Sequence, residues 1–190
     1  MKKTERHKND FYITPNTAID VLLNNYELKP GWILEPCAGS GAIVKAIYKC
    51  SNWDGDIYAV EIRPEENDNL VEAGCKEVLI KDFLDLNLSD FKCAPPCPPR
   101  TIITNPPFSI AQEIVKKSFE ISSYPNTDII MFLRLGFLES KDRAEFWLSH
   151  KNVSLITLKK RPSFTGKGTD FAAYAWFIWN GEQQFIIPCA

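Results

Sequence analysis

Short apolar runs alternate with amphipathic segments along most of the chain, and this alternation restricts the fold more than any other feature. Ile57–Glu61 and Thr101–Thr104, for example, have the length and apolar content of buried strands. Ala42–Tyr48 and Ala111–Ile121 have the residue spacing of helices that pack on one face. Strands joined by such helices run parallel, and the helices cover both faces of the sheet. The pattern therefore predicts an α/β fold.

The last part of the chain departs from this alternation. Val153–Leu158 and Ala172–Trp179 have the pattern of strands, and the segment between them leaves no room for a helix, so we expect them to pair antiparallel. Together with the earlier strands they predict a seven-stranded, mostly parallel sheet that ends in an antiparallel β-hairpin. Because no segment remains for a second core, we expect residues 1–190 to form a single domain.

Composition and charge limit the classes of function. The net charge of −2 does not indicate a general affinity for nucleic acid, but a local basic patch such as Lys159–Lys167 would be hidden in that average. No apolar run is long enough to span a bilayer and no apolar core follows the basic first residues, so we expect a cytoplasmic protein.

The six cysteines are scattered, and Cys93 and Cys97 have no second ligand pair at suitable spacing. We predict no metal site.

The turn after the first predicted strand has the composition of a nucleotide-binding site. Gly39–Gly41 connects that strand to a helix, and Glu61 ends the next strand, where a carboxylate can accept both hydroxyls of an adenosine ribose. A nicotinamide dinucleotide is the rival ligand, but its fingerprint requires glycine or alanine where this chain has Val44. The carboxylate of Glu35 would repel a pyrophosphate and suits a ligand with an ammonium or sulfonium group. S-adenosylmethionine (SAM) carries both groups.

Two further stretches fit the same cofactor. Asp82 and Phe83 end the third predicted strand, where the carboxylate can accept the amine of adenine and the ring can lie beside the base. Phe11–Pro15 places aromatic rings just before a helix, where they can cover the methionine part and the sulfonium of SAM. Core packing is the alternative role for Phe83. For the glycine turn taken by itself, the alternative is a tight connection without a ligand.

The stretch Asn105-Pro106-Pro107-Phe108 follows the fourth predicted strand and faces the same crevice, because carboxyl ends of parallel strands share one edge. The two prolines restrict the loop to an extended shape and remove two N–H donors. The side-chain oxygen of Asn105 and the carbonyl of Pro106 are then rigid acceptors. Two such acceptors can hold both hydrogens of a planar amine while its nitrogen becomes a nucleophile. Phe108 offers a flat surface on which a base can stack. We predict that Asn105, Pro106, Pro107 and Phe108 are catalytic.

These motifs and their order resemble those of the gamma-class N6-adenine DNA methyltransferases of restriction–modification systems. Asn105–Phe108 is similar to the catalytic motif of amino-methyltransferases, and Leu34–Gly41 is similar to the glycine motif of that class. The resemblance implies a Rossmann-like SAM-dependent methyltransferase fold and transfer of a methyl group to adenine N6 in DNA. The residues predicted to bind SAM are Tyr12, Thr14, Pro15, Glu35, Pro36, Cys37, Ala38, Gly39, Gly41, Glu61, Ile62, Asp82, Phe83 and Asn105.

The same resemblance implies a second aromatic ring against the target base. Phe164 in the hairpin is the first candidate and Phe171 the second, with Phe108 and Lys167 as the other predicted substrate contacts. Such enzymes usually carry a further domain that reads the target sequence, and this chain leaves no segment for one. We therefore expect single-stranded or weakly specific DNA as substrate, or a partner subunit that supplies recognition.

Several alternatives to adenine in DNA stay open, a small-molecule substrate among them. The same acceptors would serve a base amine in RNA or the amide of a protein glutamine. A chain that binds SAM without catalysis, as a partner subunit, is the alternative from another functional class.

Overall fold

The computed structural model describes residues 12–50, 53–164, 168–182 and 185–186. The strands form one sheet and comprise β1 (Ile33–Glu35), β2 (Ile57–Glu61), β3 (Glu77–Ile80), β4 (Thr101–Thr104), β5 (Asp128–Arg134), β6 (Ser154–Thr157), β7 (Tyr174–Trp179) and β8 (Phe185–Ile186). The α-helices are α1 (Asn16–Asn25), α2 (Ala42–Cys50), α3 (Asn67–Glu72), α4 (Ala111–Ile121) and α5 (Ala144–Ser149). Short 3-10 helices lie at Pro64–Glu66, Phe83–Asp85, Leu88–Asp90, Phe108–Ile110, Leu135–Leu138 and Lys141–Arg143.

The order of strands in the sheet is β3-β2-β1-β4-β5-β7-β6-β8. Of the strands that the structure describes, β7 alone runs against the others, pairing antiparallel with both β5 and β6. The predicted fold class, a mostly parallel α/β sheet that ends in an antiparallel hairpin, is confirmed. The sheet has eight strands rather than seven, because Phe185–Ile186 adds a two-residue strand parallel to β6.

The two faces of the sheet carry separate layers of core. Neighbouring residues of a strand point to opposite faces. Leu34 and Ile102 accordingly pack in the layer covered by α4 and α5. Ile33 and Ile103 pack in the layer covered by α1 and α2. Helices on both sides therefore bury β1 and β4 completely, as expected for parallel strands.

The strand directions determine where a functional site can lie. Every described strand except β7 ends at one edge of the sheet, which we call the carboxyl edge, and β7 begins there. Along that edge the order is β3, β2, β1, β4, β5, β7, β6 and β8. The loops after β1, β2, β3 and β4 consequently lie side by side although they are far apart in sequence. In the part of the chain described here, no helix is long and apolar enough to cross a membrane.

Candidate active site

A cavity of about 660 Å³ opens at the carboxyl edge, in front of β3, β2, β1 and β4. The following residues predicted to bind SAM line it: Tyr12, Thr14, Glu35, Pro36, Cys37, Ala38, Gly39, Glu61, Ile62, Asp82, Phe83 and Asn105. These residues come from five separate segments of the sequence, and the fold brings them together at one cavity. Pro107 of the proline loop also lines it.

Two residues predicted to bind the cofactor, Pro15 and Gly41, do not line the cavity. Pro15 precedes α1, and its carbonyl accepts the backbone N–H of Ala18 at 2.9 Å, in the first turn of the helix. Gly41 has a φ of +77°, and a Cβ atom there would lie 2.8 Å from the Cβ of Ala73. A glycine is therefore required at position 41 both by backbone conformation and by close approach to the segment after α3.

Glu61, at the end of β2, is held by the glycine turn. Its Oε2 accepts the backbone N–H of Gly39 at 2.7 Å, and its Oε1 accepts the backbone N–H and the Nε of Arg63, each at 3.0 Å. The residue is 5% exposed. Since each carboxylate oxygen can accept more than one hydrogen bond, the oriented group retains lone pairs for a ligand hydroxyl. The geometry thus provides a fixed carboxylate between the turn and the cavity.

Glu35, at the end of β1, is the least compensated acid of the cavity. It is 2% exposed, and its Oε2 is buried without a hydrogen-bond partner among the described residues. Burial, with the neighbouring charge of Glu61, raises the pKa of Glu35 well above its ordinary value. The backbone N–H of Val44 opposes this shift only in part. A buried carboxyl oxygen without a partner costs free energy, and a cationic ligand would relieve that cost. The arrangement therefore fits an ammonium or sulfonium group.

The turn after β3 completes the acidic side of the cavity. Asp82 caps the short helix Phe83–Asp85, and its Oδ1 accepts the backbone N–H of Leu84 at 3.0 Å. The ring of Phe83 is 3% exposed, and yet it lines the cavity, so it contributes both to the core and to the wall. Lys81 next to them is paired with Asp90.

Asn105 lies just after β4 with its side-chain amide oriented by a backbone contact. Its Nδ2 donates to the carbonyl of Tyr12 at 3.1 Å. Its Oδ1 is buried and accepts no hydrogen bond from any residue in the described ranges. Pro106 is buried and does not line the cavity, whereas Pro107 does and precedes the 3-10 helix that carries Phe108. An unpaired acceptor at the cavity wall is the arrangement that binding an amine requires.

Aromatic rings fill the space beyond Asn105. The ring of Tyr12 stacks on that of Phe108 with centroids 5.4 Å apart and planes 26° apart. Phe164 contacts both, at 5.2 Å from Tyr12 and 6.2 Å from Phe108. Phe171, the second hairpin candidate, is 78% exposed and touches none of these rings within the described contacts. Lys167 lies outside the described residues.

Two residues that no sequence motif indicated, Arg134 and Tyr174, complete this cluster. The guanidinium carbon of Arg134 lies 4.4 Å from the centroid of Phe108, and its Nε donates to the hydroxyl of Tyr174 at 3.0 Å. Burial raises the pKa of Tyr174 to about 12, so its hydroxyl is a neutral donor to Asp170, at 3.1 Å. The available signal was an arginine directly after the apolar run Ile129–Leu133.

Comparison with known proteins identifies the fold. No protein-family model matches the sequence, and no curated protein matches it significantly. Among solved structures, the chain is similar to the methyltransferase subunit of a type I restriction-modification system from Streptococcus thermophilus, with a TM-score of 0.67 and 14% identity. The match covers 92% of this chain and 47% of that subunit, so this chain spans about half of its length.

Two other structures are similar over nearly their whole length. A putative RNA methyltransferase from Pyrococcus horikoshii gives a TM-score of 0.62 at 17% identity, covering 92% of this chain and 87% of that one. A putative hemolysin from Lactococcus lactis gives 0.63 at 10% identity, covering 92% of each chain. The chain thus has the Rossmann-like α/β fold found in methyltransferases. Because proteins with such different names share it, the fold does not identify the substrate.

Proposed function

We propose that this protein is a SAM-dependent methyltransferase that transfers a methyl group to the N6 amine of adenine in DNA. The observation that carries the proposal is the buried Oδ1 of Asn105, which has no partner among the described residues and lies at the wall of a cavity whose acids suit SAM. Two of the similar structures are named as methyltransferases, one of them from a restriction-modification system, which supports the same assignment.

The residues at the ends of β1, β2 and β3 fit SAM. Glu61 would accept the ribose hydroxyls, Asp82 the adenine amine, and Glu35 would face the cationic methionine part. Bound SAM would supply an electrophilic methyl group. The unpartnered oxygen of Glu35 gives a reason for preferring a cation there to a pyrophosphate. A cation would stabilise the ionised carboxylate, whereas a pyrophosphate would add negative charge beside a group whose ionisation burial already disfavours.

The proline loop would act on the target amine. The Asn105 oxygen accepts one amine hydrogen, and the Pro106 carbonyl, which accepts no hydrogen bond from the described residues, is the candidate for the other. Holding both hydrogens lets the nitrogen become tetrahedral and stabilises the positive charge that develops on it as it takes the methyl group. Transfer would leave S-adenosylhomocysteine, and the methylated amine would then lose one proton to solvent. The contact between Asn105 Nδ2 and the Tyr12 carbonyl keeps the amide from turning its nitrogen toward the amine. Phe108 supplies the stacking surface for the base.

The test is incubation with SAM labelled in its methyl group and separate pools of single-stranded DNA, duplex DNA, RNA and protein, followed by nucleoside and amino-acid analysis. We expect label in N6-methyldeoxyadenosine. Label in an RNA base or in glutamine would replace DNA by one of the alternative substrates, and absence of transfer to every pool would favour a SAM-binding partner subunit.

Asn105→Ala tests the mechanism. We expect a loss of roughly 10²–10³-fold in kcat, the size found when one preorganised hydrogen-bonding group is removed from a catalytic site. Affinity for SAM, measured by calorimetry, should be largely retained. Asn24→Ala, at an exposed amide of α1 outside the cavity, is the matched control. Normal transfer by Asn105→Ala would refute the mechanism.

A further inference from the structure

Charged residues are sorted along the carboxyl edge according to the order of the strands. The acids Asp82, Glu61 and Glu35 follow or end β3, β2 and β1, which are consecutive in the sheet. Asn105 follows β4. Beyond it, Arg134 ends β5, and the run Lys159–Arg161 follows β6. The edge is therefore acidic on one side of the proline loop and basic on the other.

Two cations on the acidic side are neutralised locally, whereas Lys45 of α2 donates to the Ser40 carbonyl and forms no ion pair with a described residue. Arg63 pairs with Glu61 and Glu66, and Lys81 pairs with Asp90. On the basic side, the carboxylate of Asp170 accepts from the Tyr174 hydroxyl and from the backbone N–H of Ala172.

Arg134 is positioned to contact an anion beside the ring of Phe108. Its Nε is used by Tyr174, whereas its two Nη groups have no hydrogen-bond partner and no carboxylate within ion-pair distance among the described residues. The bond to Tyr174 and the contact with the Phe108 ring fix the guanidinium plane in advance. A fixed guanidinium with free N–H groups is the arrangement that binds phosphate.

Lys159, Lys160 and Arg161 extend the positive charge along the same edge. All three are exposed, and no ion pair is formed by them with residues that the structure describes. They follow β6, which is separated from β5 only by β7. A polymer with regularly spaced negative charges could contact Arg134 and this run at the same time, whereas a small anion could not.

We propose that the basic side of the carboxyl edge binds the phosphodiester backbone of a polynucleotide strand, with Arg134 on the phosphate next to the base that stacks on Phe108 and Lys159–Arg161 on more distant phosphates. This inference rests on the proposed function, because it takes the Phe108 ring as the stacking surface. It excludes a free nucleoside and a glutamine side chain as the natural substrate, since neither carries a phosphodiester.

The contact of Arg134 is tested by a double-mutant cycle between protein and substrate. One side of the cycle is Arg134→Gln, and the other is a single-stranded oligonucleotide in which the linkages flanking its one adenine are neutral methylphosphonates. Affinity is measured by fluorescence anisotropy with S-adenosylhomocysteine present. We expect each single change to weaken binding by roughly ten- to hundredfold, the range for hydrogen bonds to charged groups. The double change should weaken it no further than either one. If the two losses in affinity multiply in the double change, Arg134 does not contact the phosphates beside the adenine.

The outer contacts are tested by the salt dependence of binding. The triple variant Lys159→Ala, Lys160→Ala, Arg161→Ala should reduce the slope of log affinity against log salt by about 2, given about 0.7 per phosphate of a single strand. The control variant replaces three exposed lysines that lie elsewhere on the surface and form no described ion pair. It is Lys49→Ala, Lys116→Ala, Lys151→Ala, and it should keep the wild-type slope. Equal slopes for the two variants would overturn this part of the proposal.

The proposed methyl transfer and the proposed contacts with the phosphodiester backbone can be refuted separately. Transfer of methyl groups to DNA by the wild type, combined with a multiplicative cycle and equal slopes, would leave the function standing and refute the basic surface. Methylation of protein glutamine alone, with no measurable oligonucleotide binding, would refute both.

Discussion

The two sides of the cleft are held together by different forces. On the side of β1, β2 and β3, oriented hydrogen bonds dominate, such as that from the Gly39 N–H to Glu61 at 2.7 Å. On the side of β4, β5 and β7, the contacts are between the rings of Tyr12, Phe108 and Phe164 and the guanidinium of Arg134. On the first side, the directional hydrogen bonds leave a cavity open. On the second side, the rings pack against one another and fill the space between them.

We call the strand ends of β1, β2 and β3 the cofactor side and the cluster of Tyr12, Phe108, Phe164 and Arg134 the substrate side, after the proposed function. If that proposal holds, the cofactor side is formed in advance, whereas the rings of the substrate side are not yet placed to hold a base. A base held between two parallel rings requires about 7 Å between them, twice the optimal separation of stacked carbon atoms. Phe108 and Phe164 are 6.2 Å apart with planes at 66°, and Tyr12 covers part of Phe108. The rings must therefore separate before a base can enter. Tyr12 connects the two sides, since its carbonyl holds Asn105 and its ring belongs to the cluster.

The largest effect is expected from Glu61→Ala. This change removes the carboxylate that accepts the backbone N–H groups of Gly39 and Arg63 on the cofactor side. Losing hydrogen bonds to a charged group costs roughly 1.5–3 kcal/mol and leaves the buried N–H of Gly39 without a partner, so SAM affinity should fall on the order of 100-fold. Calorimetry with SAM measures this, and Glu72→Ala at an exposed site of α3 is the control. Unchanged affinity would show that the cofactor side is not preformed by Glu61.

Phe108→Ala addresses the other side. Loss of stacking with a base costs about 1–3 kcal/mol, so KM for single-stranded DNA should rise while SAM affinity stays the same. Steady-state kinetics and calorimetry separate the two quantities. Tyr124→Ala removes a partly exposed ring away from the cavity and should change neither. A fall in SAM affinity with Phe108→Ala would mean that the two sides are not independent.

Sequence patterns predicted the fold and the grouping of polar residues at one cavity because both depend on strand ends. Glu35, Glu61, Asp82 and Asn105 end or follow strands, and the carboxyl ends of parallel strands share an edge whatever the details of packing. The two-residue strand β8 was missed because it is too short to show an alternating pattern, and it forms only by pairing with β6.

The aromatic cluster beside Asn105 was less predictable because it depends on contacts between distant segments. The hydrogen bond from Asn105 to Tyr12 spans 93 residues of sequence, and no local pattern indicates it. Arg134 resembles an ordinary strand end until β7 places Tyr174 beside it. For Gly41, the sequence indicated a turn for a ligand, whereas the structure also shows close packing against Ala73.

The next prediction concerns the pH dependence of folding stability, which follows from the burial of the Glu35 carboxyl group. Because burial and Glu61 raise the pKa of Glu35, the folded protein binds this proton more tightly than the unfolded chain does. Stability is therefore lost as pH rises above the ordinary glutamate pKa, by up to about 1.4 kcal/mol per pH unit until the folded-state pKa is passed. Glu35→Gln should remove this slope in urea unfolding measured from about pH 5 to about pH 8.

The control for that prediction is Glu113→Gln, at an exposed position of α4, which should keep the wild-type slope. A cation in the cavity would favour the ionised form of Glu35, so SAM binding should release protons in the wild type and fewer in Glu35→Gln. Buffer-dependent calorimetry measures that release. If both proteins lose stability equally as pH rises, then ionisation of Glu35 is not what destabilises the folded protein when the cavity holds no ligand.

The smallest effect distinguishes the two aromatic residues of the hairpin. Phe164 touches Tyr12, Phe108 and Tyr174, whereas Phe171 is 78% exposed and lies 5.3 Å from the guanidinium of Arg134. Phe171→Ala should therefore change KM for DNA by no more than an exposed cation–π contact, about 0.5–1 kcal/mol, and Phe164→Ala should change it more. The reverse order in steady-state kinetics would mean that Phe171 moves onto the base when the rings separate. The substrate side would then be rearranged by its ligand rather than merely opened.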